Sequence, residues 1–388
     1  MFTIILGCSS LCYPFGNHLV DYFGKSSKPV ILLGAFVAMS AVTACSIFEF
    51  PPTVFVVVYS VGMGTLKGLM QPAIWRAGLT QLPKKQGLMS AFIISGYGFG
   101  GFGFGLLINH LFNPDNVKFQ YEEGCTDPAK CNKFLPKEVG DRLPHAFMVL
   151  IIIYSSLILV GTTLIKNAPA EPESIELLDA EDAGEEVVAE GKDSIIPYIT
   201  SRKFIHVYLL VLNYLFYGFF FGTTYKVIGK NTINDDHFLS IIGAVSLLCS
   251  ALCKFGFATS IDYIGFKKPF AVVSVVYLFC VLFMKTAVQY KSSYFFIVVI
   301  SYCCDGAISS MMPALIFKMF GNINGARVYS YLYSVYFAST LSFMFAMSFQ
   351  GKSENYDNLI FISVITTSIA IVLNLTLDNE PFKLEKGA

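Results

Sequence analysis

Hydrophobic residues in this chain are gathered into long runs that are separated by short polar stretches. Several runs reach the ~20 residues that an α-helix needs to cross a bilayer. A soluble protein would instead divide its apolar residues among shorter amphipathic segments. Eleven segments can be drawn, near 2–20, 28–48, 52–74, 87–111, 145–165, 204–227, 237–260, 268–289, 293–317, 327–349 and 358–377. The pattern predicts an all-α, polytopic integral membrane protein with about eleven transmembrane helices.

Composition points the same way. Hydrophobic residues make up 54% of the chain and charged residues only 14%, against about 25% charged in soluble domains. The net charge of zero argues against nucleic acid as a partner. The five histidines show no metal-ligand spacing, and no nucleophile–base constellation is present. We therefore predict no metal, no cofactor and no enzymatic activity, with the lipid bilayer as a partner.

The polar stretch 167–203 separates the fifth apolar segment from the sixth. It carries ten acidic residues. Such a composition does not bury enough apolar surface to form a packed core, so we predict a flexible acidic linker. The linker divides the chain into an N-terminal bundle of five helices (1–166) and a C-terminal bundle of six helices (204–388).

Basic residues in the loops indicate the orientation. We take the loop at Asp21 and the acidic linker to be cytoplasmic. Fifteen basic residues then lie on the cytoplasmic side and ten on the opposite side. This excess agrees with the positive-inside rule. The loop 112–143 is then on the outer side, where Cys125 and Cys131 can form a disulfide if that compartment is oxidising. The sequence does not distinguish the plasma membrane from the mitochondrial inner membrane.

A short motif occurs twice in the chain, 241 residues apart. Cys12 and Cys253 each begin a run in which an aspartate follows nine residues later, and then an aromatic residue, an apolar residue and a glycine. The two copies contain Asp21 with Gly24 and Asp262 with Gly265. Pro72 and Pro313 keep the same offset. An offset held at separated positions predicts two equivalent halves, which is typical of secondary transporters.

The two halves differ by one helix. With the two motifs aligned, the segment 204–227 has no equivalent, because its partner would fall before residue 1. We therefore expect that the first of twelve helices is missing, either from this sequence or from the protein itself.

The first motif, from Gly16 to Lys25, resembles the loop motif of the major facilitator superfamily, with one extra residue before Asp21. Residues 75–105 and 251–268 resemble the oxalate/formate antiporter and monocarboxylate transporter group. The resemblance implies two pseudo-symmetric helix bundles that rock against each other around a midplane site. It also implies that the two aspartates, near helix ends, gate one face by pairing with cations and exposed amides, while Gly24 and Gly265 permit tight turns.

Lys254, eight residues before Asp262, lies inside an apolar segment. In the oxalate/formate group an arginine at the matching position looks like a ligand for the substrate carboxylate. Lys254 either binds one carboxylate in the same way or extends toward the membrane surface. The oxalate/formate group has a second cation, and its position aligns with Tyr336 of this chain. Tyr336 lies three residues after Tyr333, and a tyrosine at this position carries no positive charge. One cation with tyrosines suits a monoanion better than a dianion such as oxalate.

Lys67 and Asp305 are two further charges inside apolar segments, where each charge is costly. They lie on equivalent helices of the two halves and differ in depth by three residues, ~4.5 Å at helical rise. A salt bridge between the halves is one interpretation, and proton uptake by Asp305 in a coupled cycle is a second. A purely structural pair is equally consistent with the sequence.

Two functions follow from these features. The first is secondary active transport of a small monocarboxylate anion, as an antiporter or with protons as a symporter, by alternating access. Lys254, Tyr336 and Tyr333 would bind the substrate. The second is a transporter-derived structural subunit of a larger complex, for example in the mitochondrial inner membrane, with other subunits as partners. The missing helix and the lost second cation favour this alternative.

Overall fold

The computed structural model describes residues 1–24, 26–82, 85–112, 136–166, 194–233, 235–350 and 356–378, with isolated positions between and after them. It is almost entirely helical. The helices are α1 (Phe2–Tyr22), α2 (Lys28–Ile47), α3 (Pro52–Gln81), α4 (Gln86–Phe112), α5 (Lys137–Gly140), α6 (Leu143–Leu164), α7 (Ile196–Ile199), α8 (Arg202–Thr232), α9 (Asp236–Ile264), α10 (Lys267–Ala287), α11 (Lys291–Phe320), α12 (Asn322–Leu332), α13 (Ser334–Gln350) and α14 (Asp357–Thr376). The two-residue strands β1 (Gln120–Tyr121) and β2 (Lys133–Phe134) pair antiparallel.

Ten helical spans within the described residues are long and apolar enough to cross a membrane. The predicted integral membrane protein is therefore confirmed. The predicted count of eleven also included α1, which has 21 residues but is not among the ten. Its sequence is less apolar because it carries polar residues that face other helices, among them Ser10, Asn17 and Asp21.

Local sequence explains where several helices begin and end. The Ser201 side chain accepts a hydrogen bond from the Phe204 amide at 3.2 Å and so caps α8. The glycines of the repeated motif, Gly24 and Gly265, follow α1 and α9 with φ of 65° and 75°. A side chain with a Cβ rarely adopts this conformation, so glycine ends both helices in the same way.

The same helix pairing recurs in the two parts of the chain. Helix α1 packs closely on α3, and its equivalent α9 packs closely on α11. The second part, α8–α14, contains most of the buried core, which is rich in aromatic rings such as Tyr214, Tyr217 and Phe270. The core of the first part is smaller and aliphatic, with Val30 and Leu69 among its members. Helix α4 packs mainly on α9 and α11 and so ties the two parts together.

The segment predicted at 327–349 is two helices, not one. The helical pattern is interrupted at Tyr333, between α12 and α13. At the break the Tyr336 amide donates to the Tyr333 carbonyl at 3.2 Å, a tighter turn than an α-helix makes. Interrupted helices in transporters commonly mark a binding region.

Two predicted features lie outside the described residues. These are the cysteines 125 and 131 of the loop, and most of the acidic linker, residues 167–193. The end of the predicted linker is not flexible: α7 and the start of α8 fall within it, because Tyr198 of α7 is buried and its hydroxyl accepts a hydrogen bond from the Asn324 side chain of α12 at 3.1 Å.

Candidate functional site

The repeated motif brings Asp21 and Asp262 to the same side of the protein, called the motif face below. Asp21 lies in the last turn of α1, where its carboxylate contacts Arg76 of α3 at 2.6 Å and Arg327 of α12 at 3.7 Å. The first ion pair stays within the first half, and the second crosses to the second half. Asp21 therefore links the halves through a side-chain cation.

Asp262 makes the equivalent link with backbone groups. Its carboxylate accepts hydrogen bonds from the amides of Gly87 at 3.1 Å and Leu88 at 3.2 Å, which belong to the first turn of α4. Lys318 of α11 lies 3.6 Å away. A negative charge at a helix N-terminus is stabilised by the unpaired amides and the helix dipole. A Cβ at position 87 would collide with the Ala258 carbonyl and the Asp262 carboxylate, so glycine is required there.

Contacts between the halves continue from the motif face toward the middle of the membrane. Along α1, Asn17 donates to the Ala326 carbonyl at 2.9 Å and to Ser330, and Ser10 donates to the Tyr333 carbonyl at 3.4 Å. Along α4, Ser95 donates to the Ala251 carbonyl of α9 at 3.0 Å. The two halves are therefore closed against each other at the motif face, where a cavity of about 260 Å³ remains beside Asp21 and Arg327.

Polar and charged side chains gather near the midpoints of the helices. They come from both halves and form what is called the central layer below. Its members are Tyr13, Lys67, Tyr97, Lys254, Asp305, Tyr333 and Tyr336. A midplane position at the interface of the repeats is where secondary transporters bind their substrates.

Stacked tyrosines from the two halves form one side of the central layer. The Tyr13 ring stacks on Tyr333 with centroids 4.5 Å apart, and Tyr333 stacks on Tyr336 at 4.9 Å. Tyr329 meets Tyr13 edge-on at 6.0 Å and also packs on Trp75. The Tyr13 hydroxyl is buried and has no hydrogen-bond partner among the described residues.

Lys67, at the centre of α3, places its Nζ over the Tyr333 ring, 5.6 Å from the centroid. Its other electrostatic neighbour is Tyr97 of α4. The Tyr97 side chain is 46% exposed. Placing a charge at the centre of a membrane helix costs about 3 kcal/mol on insertion scales. Contact between a cation and an aromatic face stabilises the cation by about 0.5–2 kcal/mol. The ring alone does not compensate fully for the buried charge.

Lys254 and Asp305 lie together within the second half. The Lys254 side chain runs over Gly306, where a Cβ would come within 3.1 Å of its Cε atom. The Asp305 carboxylate lies against Gly218 of α8, where a Cβ would come within 2.6 Å of Oδ1. The two charges interact electrostatically without direct ion-pair contact. The glycines at 218 and 306 leave the space that both side chains occupy.

The salt bridge considered between Lys67 and Asp305 is not formed. No carboxylate among the described residues lies within ion-pair distance of Lys67, and the charge that acts on Asp305 is that of Lys254. Both residues lie near the middle of their helices, α3 and α11. Residue spacing did not indicate the direction in which each side chain leaves its helix.

Tyr13 and Tyr97 belong to the central layer but were not predicted from the sequence. The repeat contained a signal for one of them, because Tyr13 follows Cys12 as Lys254 follows Cys253. No such signal marks Tyr97, which lies in a glycine-rich helix. In the part of the chain that the structure describes, no group of three or more histidine, cysteine or acidic residues could hold a metal ion.

Comparison with known proteins agrees with this architecture, although no family model matches the chain. The "Apicoplast pyruvate carrier 1" of Toxoplasma gondii is 23% identical over 394 residues, covering 93% of this chain and 71% of that protein. A proton:xylose symporter of the major facilitator superfamily superposes with a TM-score of 0.71 at 10% identity, covering 97% of this chain and 86% of the symporter. A bacterial homologue of the iron transporter ferroportin, in an outward-facing state, gives 0.61 at 12% identity, covering 97% and 89%.

The chain thus has the major facilitator fold, as the sequence predicted, and it is an integral membrane protein.

Proposed function

We propose that this protein is a secondary active transporter that carries a small monocarboxylate anion by alternating access. The central layer supports the proposal. Within the described residues it holds two lysines and one aspartate, and so one net positive charge. One unbalanced cation inside an apolar bundle matches one carboxylate, since a paired charge is far less costly in the membrane than a single one.

The surroundings of the charges support a small substrate with a short apolar body. The tyrosine rings of Tyr13, Tyr333 and Tyr336 offer flat surfaces and hydroxyl groups, and they come from both halves. A sugar would need many more hydrogen-bonding side chains. The name of the Toxoplasma gondii relative is consistent with this class of substrate, and pyruvate is therefore the first compound to test.

The motif face supplies the gate in this proposal. Asp21 and Asp262 hold the halves together on that face, and the substrate would enter from the opposite face. Separating the halves at the motif face would break the contacts of both aspartates and release the substrate there. Asp305 is the acidic group of the central layer, so proton uptake would take place on it in a proton-coupled cycle.

Uptake into proteoliposomes tests the proposal. The purified protein should accumulate radiolabelled pyruvate in a saturable manner, with competition by lactate but not by xylose. The control variant Lys226→Gln changes a lysine that is exposed and bonded to Ser240, away from the central layer, and should transport normally. A folded protein that takes up no monocarboxylate under a pH gradient or in exchange would contradict the proposal and favour the structural-subunit alternative.

A further inference from the structure

The two lysines of the central layer have different electrostatic surroundings. Lys254 shares its surroundings with Asp305, and the two side chains together are neutral. Lys67 has only tyrosines beside it, namely Tyr333 and Tyr97, and no acidic group among the described residues. Lys67 is therefore the lysine of the layer that has no carboxylate beside it in the described part of the chain.

We propose that Lys67, and not Lys254, binds the substrate carboxylate, with the rings of Tyr333 and Tyr97 beside the substrate's apolar body. This assignment rests on the proposed function and specifies its binding site. It changes the role expected from the sequence, in which Lys254 takes the carboxylate and Lys67 acts in coupling or gating.

The position of Asp305 makes Lys254 a poor ligand for an anion. A carboxylate that approached Lys254 would also approach the Asp305 carboxylate, and like charges repel strongly where water is scarce. Lys67 offers a positive charge without this repulsion.

The Lys67 region also lies between the halves, as alternating access requires. Lys67 belongs to α3, while Tyr333 lies at the break between α12 and α13 in the opposite half. The buried hydroxyl of Tyr13, which stacks on Tyr333, has no partner among the described residues and is a donor without an acceptor. A carboxylate held at Lys67 would contact groups that separate when the halves move.

Equilibrium binding of radiolabelled pyruvate to the detergent-purified protein tests the assignment. Four proteins are compared with the wild type: Lys67→Met, Lys67→Arg, the double variant Lys254→Met with Asp305→Asn, and the control Lys226→Met. Trp75 is the only tryptophan in the chain and its ring lies 6.0 Å from that of Tyr329, so its fluorescence gives a second, transport-independent readout.

We expect Lys67→Met to weaken pyruvate binding at least tenfold, Lys67→Arg to retain much of it, and the double variant to bind within threefold of the wild type. Normal binding by Lys67→Met, or loss of binding only in the double variant, would overturn the assignment while the transporter proposal stands. A wild-type protein that neither binds nor transports any monocarboxylate would overturn both.

Discussion

Asp262 and Gly87 lie 175 positions apart in the sequence, yet the carboxylate of the first accepts a hydrogen bond from the backbone amide of the second at 3.1 Å. Through this contact one half of the protein caps a helix of the other. Opening the motif face must break the bond and leave the first amides of α4 without a protein acceptor. The contact therefore stabilises the closed state of this face.

Replacing the carboxylate by an amide, Asp262→Asn, should loosen the contact. Hydrogen bonds to charged groups are worth about 1.5–3 kcal/mol, against about 1 kcal/mol for neutral ones. We expect the amides of Gly87 and Leu88 to exchange with deuterium about tenfold faster, as measured by mass spectrometry. Asp235→Asn is the control, because Asp235 caps α9 through the Phe238 amide at the opposite end of that helix. Equal acceleration in both variants would contradict the role of Asp262.

A side chain at position 87 should force the halves apart. Gly87→Ala places a Cβ against the Ala258 carbonyl and the Asp262 carboxylate, whereas a Cβ at Gly96 of the same helix meets nothing within 4 Å. Overpacking of this kind costs about 1–3 kcal/mol. We expect Gly87→Ala to lower the midpoint of thermal unfolding and Gly96→Ala to leave it unchanged or raise it. A lower midpoint for Gly96→Ala alone would show that the described packing is wrong.

The link at Asp21 should be more sensitive to salt than the link at Asp262. Asp21 reaches the second half through the partly exposed side chain of Arg327, and such ion pairs contribute about 0–1 kcal/mol and are screened by salt. We expect Arg327→Met to make a cysteine-labelling site placed on α1 at the motif face more reactive, and high salt to reproduce this effect in the wild type. Arg76→Met, which removes an ion pair within the first half, should change this reactivity less.

Removing the ring beneath Lys67 should weaken substrate binding. Tyr333→Leu eliminates the aromatic face at 5.6 Å from the ammonium group and the stack with Tyr13. Contacts between a cation and a ring are worth about 0.5–2 kcal/mol, which corresponds to about a 2- to 30-fold rise in the KM for pyruvate uptake. Tyr331→Leu is the matched control, since Tyr331 lies two residues away and is 38% exposed. A similar rise in both variants would mean that the effect comes from general damage to α12.

The sequence by itself determined the helices and their arrangement into equivalent parts. The apolar runs predicted ten of the helical spans to within a few residues at most ends, because a helix in a bilayer must satisfy its own backbone hydrogen bonds over a fixed thickness. The repeat of Asp21 and Asp262 marked the equivalent helix ends, since a glycine with positive φ follows in both copies. These properties depend on local composition and spacing, which a sequence contains directly.

Only the tertiary structure decided which side chains meet. Spacing gave the depth of Lys67 and Asp305 but not their direction around the helix axis, and the structure directs Lys67 to Tyr333 and Asp305 toward Lys254. Tyr13 and Tyr97 are members of the central layer because of the way in which α1, α4 and α12 approach one another. The interruption of the helix at Tyr333, between α12 and α13, also depends on this packing. Such contacts join residues from different halves, and their geometry is set by the packing of whole helices and not by any local pattern.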